Sequence, residues 1–96
     1  MTKRDLYEEV RKKYGSVHQV LIAIEELSEL QKELCKSLRG DDAIPFDHIA
    51  EEIADVEIML EQLKMIYQVE AETTAWKKQK LVRLVGTLHG RKGAEI

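Results

Sequence analysis

Four acidic residues, Glu26, Glu29, Glu52 and Asp55, form two i,i+3 pairs, and each pair lies on a segment whose apolar residues recur at helical spacing. Positions three or four apart on a helix share a face, so Glu26 lies beside Glu29 and Glu52 beside Asp55. Glu25 can also approach Glu29, and Glu51 can approach Asp55. If the two helices pack side by side, four carboxylates meet over a small area, which is costly unless a divalent cation neutralises them. The expected chemistry is magnesium-dependent, on a phosphorylated substrate.

Acidic residues on helices are usually solvated surface, and that simpler account has to be weighed. Against it, Asp55 has Ile53, Val56 and Met59 around it, Glu26 lies close to Ile22 and Leu30, and no basic residue is within helix reach of Asp55 on its own segment. An acid at the edge of a buried seam needs a partner. Mg²⁺, with Mn²⁺ as a substitute, suits oxygen ligands, whereas zinc favours His or Cys. His18, His48 and His89 form no HxxxH-type pair, and each reads first as an ordinary surface or helix-end histidine. Cys35 is alone, which excludes an intrachain disulfide, and among Leu27, Leu34 and Leu38 it is expected to be a small buried hydrophobe. Neither a Walker A loop nor GxGxxG is present, and Ser28, Ser37 and Cys35 have no partners for nucleophilic catalysis.

The elements that must position these acids are helices. In a chain of 96 residues with one Pro and five Gly, 44% apolar and 34% charged, the expectation is a single all-α domain, with a core over about 15–88 and a frayed tail at 89–96. Thr2, with Asp5 three residues on, predicts a capped first helix to about Lys13 with Leu6 and Val10 inward. Ser16, with Gln19 in the reciprocal position, predicts the start of a second helix that keeps its period through Leu38. Residues 40–45 read as a turn and loop, after which Asp47 is the expected N-cap of a third helix, with Phe46 packing back on it. A fourth helix is expected over about 70–88, its apolar side built from Trp76, Leu81, Leu84, Val85 and Leu88. Short connections imply antiparallel neighbours in a helical bundle.

The net charge of -3 is unevenly placed, with acids concentrated in residues 25–61 and a basic C-terminal part. An acidic cluster amid the main helices argues against a nucleic-acid partner. No apolar run approaches a membrane span and the first residues lack an export signal, so the cytoplasm is expected. Apolar residues cover more than a narrow stripe, with Leu21 and Ile22 flanking Val20 and Ile24 and with Ile58 beside Met59, so a homodimer is the minimum assembly expected.

Residues 25–29 read EELSE and residues 52–55 read EIAD, with 22 residues between Glu29 and Glu52. This pattern resembles the EExxE…ExxD motif of the MazG-like, all-α nucleoside triphosphate pyrophosphohydrolases, especially the short single-domain type met in phages and prophages. The resemblance covers roughly residues 15–85. It implies a bundle completed by dimerisation, sometimes as a dimer of dimers, and hydrolysis of a nucleoside triphosphate to the monophosphate and pyrophosphate. It implies Glu26, Glu29, Glu52 and Asp55 as magnesium ligands, and Glu25 either as the residue that orients or deprotonates the attacking water or as a support behind the ligands. Lys80 and Arg83 resemble the family's phosphate-binding pair, with Lys77 a weaker member; apart from the resemblance, Lys32 and Lys36 on the helix of the first acids are candidate helpers. For a base pocket the residues on offer are His18, Gln19, Ile22, Trp76 and Tyr14. The rival reading is a non-catalytic helical dimerisation or regulatory module, whose acids are surface and whose apolar stripes serve a partner.

Overall fold

Thr2 starts the first helix through a reciprocal pair of hydrogen bonds, its Oγ1 accepting from the Asp5 N–H at 3.1 Å while its own N–H donates to Asp5 Oδ2 at 3.0 Å. In the computed structural model, which describes residues 1–40 and 46–90, every regular element among the described residues is helical. The order is α1 (Lys3–Tyr14), α2 (Ser16–Leu38), α3 (Phe46–Ile66) and α4 (Glu70–His89). Of the loop expected at 40–45, residues 41–45 lie outside the described residues, as do 91–96 of the expected tail and the Phe46 side chain, while His89, expected in that tail, still belongs to α4.

Gly15 joins α1 to α2 without a loop. Its N–H donates to the Arg11 carbonyl at 2.8 Å, and its φ of 92° is a conformation that a side chain would strain. Because this one residue ends one helix and begins the next, Ser16 falls inside α2 and Gly15 takes the N-cap position, with no side-chain cap. The Ser16–Gln19 capping box expected from the sequence is thus replaced, and Gln19 turns into the interior. At the other junction α3 begins at Phe46, so Asp47 lies in the first turn, where its charge favours the helix dipole, rather than before it as a cap.

Helices α2 and α3 pack against each other and α1 packs on α2. Gln19 meets Gln62, and Glu26 meets Asp55, so seven residues forward along α2 correspond to seven residues back along α3. The pair is antiparallel, as the short connections implied, and its contact repeats every two turns. Between the two polar levels lie Ala23, Val56 and Met59, all buried. Tyr7 is the buried side chain of α1, and its hydroxyl donates to Glu61 Oε2 at 3.0 Å, while Lys3 Nζ sits 3.0 Å from the same oxygen. Leu6, expected to face inward, is 46% exposed, because the inward face of α1 is the one that carries Tyr7 to Glu61.

The chain divides into two units, the first being Met1–Ile66 and the second beginning at Tyr67. Gln68 turns the chain with a φ of 56° and α4 follows, Thr73 and Thr74 back-bonding to the carbonyls of Val69 and Glu70. Gly90 ends it in the left-handed conformation, its N–H donating to Gly86. No described helix is long and apolar enough to cross a membrane.

Candidate metal centre

Glu26 reaches the α2–α3 seam because it stands one heptad beyond Gln19 on the face that packs on α3, and Glu52 and Asp55 reach it from the opposite side. One carboxylate oxygen from each of Glu26, Glu52 and Asp55 lies within 4.8 Å of the other two. All three side chains are half-buried. The Glu52–Asp55 pair and one member of the Glu26–Glu29 pair therefore meet at one spot, three of the four predicted acids. Glu29, the fourth, is exposed and lies outside this group, yet its charge acts on both Glu26 and Glu52.

The electrostatics of the three are those of like charges held together. Burial pushes the Glu26 carboxyl above the ordinary glutamate range, and the charges of Asp55 and Glu52 push it further the same way. Glu52 is raised in the same way, first by burial and then by Asp55, Glu29, Glu51 and Glu33. The strongest charges acting on either group are all negative. Oxygen Oε2 of Glu52 is buried and has no hydrogen-bond partner. A buried carboxylate oxygen without a donor is costly, and an all-oxygen donor set of this charge fits a hard divalent cation.

Sequence reasoning passed over Glu33, which stands seven residues beyond Glu26 and extends the acidic face by two turns. Its side chain is only 12% exposed and lies 3.6 Å from Lys36 Nζ. The signal was present in the heptad spacing. Lys36 is thus paired with Glu33 beside the acidic face, while Lys32 is exposed. Glu25 is exposed too, one turn before Glu29.

The residues proposed for the base separate. His18 and Tyr14 are exposed and stack on each other with ring centroids 5.5 Å apart and planes 25° apart. Ile22, one turn beyond His18, is half-buried. Gln19 is buried, its amide nitrogen donating to Gln62 Oε1 at 2.8 Å, so it serves the α2–α3 seam rather than an open pocket. Cys35 is exposed, contrary to the expected buried hydrophobe, because it lies on the side of α2 away from α3.

In the second unit, Trp76, Lys80 and Arg83 fall at i, i+4 and i+7 on one face of α4, with Lys80 Nζ 6.0 Å from the centre of the Trp76 ring. Lys77, also exposed, lies one turn before Lys80. No known protein family, curated protein or solved structure matches this chain.

Proposed function

We propose that the protein is a Mg²⁺-dependent nucleoside triphosphate pyrophosphohydrolase acting between the α and β phosphates. The observation that carries this reading is the convergence of Glu26, Glu52 and Asp55 from two helices to within 4.8 Å, with the buried Glu52 Oε2 left without a donor. The resemblance to the MazG-like motif adds a substrate class to a site that, on geometry alone, asks only for a hard cation.

In this reading Glu26, Glu52 and Asp55 hold the metal and Glu29, the exposed neighbour whose charge already acts on two of them, joins them when it binds. A divalent cation held there would supply an acidified water and neutralise phosphate charge. Glu25 orients that water from the solvent side of α2. Lys80 and Arg83 share a face of α4 with Lys77 adjacent, a cationic surface of the kind phosphate oxygens bind. The functional assembly is a homo-oligomer, a dimer or a dimer of dimers, supported by the exposure of Val17, Leu21, Ile24, Leu27, Leu34 and Leu38 along α2.

The test is pyrophosphate release from a panel of canonical and modified triphosphates with and without Mg²⁺, repeated with Glu29→Gln and Asp55→Asn. Activity that needs Mg²⁺ and disappears in both variants is expected. An inert panel, together with a melting temperature indifferent to Mg²⁺, would leave the exposed apolar face as the dominant feature and favour the helical interaction module.

A further inference from the structure

A buried run of directed hydrogen bonds leads from the α2–α3 seam to the exposed His18. Gln62 Nε2 lies 3.5 Å from Met59 Sδ, a group that only accepts. This fixes the Gln62 amide with its nitrogen toward Met59 and its oxygen toward Gln19. Gln62 Oε1 then accepts from Gln19 Nε2 at 2.8 Å, which leaves Gln19 Oε1 facing His18 Nδ1 at 2.9 Å. An amide oxygen cannot donate, so Nδ1 of His18 must carry the hydrogen. In the neutral ring Nε2 is consequently an acceptor, set by a thioether three links away, and the stack with Tyr14 holds the ring's plane.

The placement of this acceptor matters as much as its tautomer. His18, Ile22, Glu25 and Glu29 follow one another at i, i+4, i+7 and i+11, one stripe of α2. His18 stands about 10 Å along the helix axis from Glu25, a span that a nucleotide bridges when its phosphates sit at the acids and its base lies beyond the sugar. Free imidazole nitrogens on a helix surface usually have no fixed role. This one is oriented by two buried glutamines, neither of which is needed for the acidic site itself.

We propose that His18 reads the substrate's base, its Nε2 accepting an N–H from the base edge while Tyr14 backs the ring and Ile22 lines the sugar's path. The proposal rests on the nucleotide reading of the acidic site and adds the residue that recognises the nucleoside part.

The experiment is ¹⁵N-resolved NMR of the His18 imidazole in the full-length protein, followed by titration with Mg²⁺-pyrophosphate and with Mg²⁺ complexes of the four deoxynucleoside triphosphates. The expected result is the Nδ1–H tautomer in the free protein, an Nε2 resonance that moves with nucleotides, and none of that movement with pyrophosphate. His18→Phe, which keeps a ring for Tyr14 to stack on, is expected to raise KM about tenfold with kcat little changed, the loss of one acceptor contact. An Nε2–H tautomer, an equal response to pyrophosphate, or a His18→Phe enzyme with unchanged KM would overturn the assignment while leaving the hydrolase intact. Failure of the wild-type protein to turn over any triphosphate would instead sink the underlying reading, and the base contact with it.

Discussion

Glu26, Glu52 and Asp55 are half-buried within reach of one another, and their mutual repulsion makes their behaviour with pH predictable. Glu26 and Glu52 titrate above the ordinary glutamate range, so the folded protein holds more protons than the unfolded chain between that range and their raised values. Stability without metal is therefore present in full below this window and falls as pH rises through it. Binding of a divalent cation at this cluster would have the opposite slope, because the cation must displace those protons. Thermal melts from about pH 4 to about 8, with and without Mg²⁺, should show stabilisation by the metal that grows with pH. At a free Mg²⁺ concentration about a hundredfold above Kd it approaches about 2.7 kcal/mol. For the same reason Asp55→Asn should melt higher than the wild type in EDTA, while on the proposed hydrolase reading it should lose about a hundredfold or more in activity. A wild type that melts higher than Asp55→Asn without metal would show that the cluster is not under electrostatic strain. The i,i+3 pairs made three of these acids legible in the sequence. Glu33 was legible too, one heptad beyond Glu26, but the exposure of Glu29 was not, because helical spacing gives the face a residue shares and not how closely the neighbouring helix covers it.

Between helices, the α2–α3 seam is built from two polar levels around a small apolar centre. Gln19 and Gln62 are 5% and 7% exposed, and their mutual hydrogen bond is what makes this burial tolerable. Gln19→Leu should cost about 1–3 kcal/mol by leaving Gln62 Oε1 without its donor, and the Gln19→Leu/Gln62→Leu pair should recover most of that loss. Urea unfolding of the single and double variants measures the coupling, and strict additivity would mean that the bond contributes nothing. The clasp between α1 and α3 behaves differently. Tyr7 and Lys3 both bond Glu61, and Lys3 first and Tyr7 next hold its carboxyl below the ordinary range. Its contribution is present above the ordinary glutamate range and is lost as pH falls through the lowered value, the reverse of the acidic cluster. Tyr7→Phe should cost about 1 kcal/mol at neutral pH and flatten this acid limb. The helices themselves were readable from apolar period and from the Thr2–Asp5 box. The glutamine pair was not, since two polar residues 43 positions apart carry no periodic signal that they face each other.

Among the described residues of the first unit, the buried apolar side chains are Tyr7, Ala23, Val56 and Met59, a small core for helices of the length of α2 and α3. Meanwhile Leu21 and Ile24 are more than half exposed, and Leu27, Leu34, Ile53 and Leu60 are each above 40%. A hydrophobic period predicts that a face will be buried without saying what buries it, which is why the broad stripe on α2 was legible and its exposure in one chain was not. If a second copy covers this face, folding and association are one equilibrium, and the melting temperature must rise with protein concentration. Ile24 and Leu27 lie on the side of α2 away from Glu26, so charging them disturbs the outer face without touching the acids. Ile24→Lys and Leu27→Glu, each alone, are expected to halve the mass seen by light scattering at micromolar concentration and to lower the melting temperature. Combined as opposite charges in one mixed population, they should restore part of the association, because each chain then presents the other with a partner of the opposite sign. A wild type of monomeric mass whose melting temperature is independent of concentration would end the homo-oligomer reading, and any activity would then have to reside in a single chain.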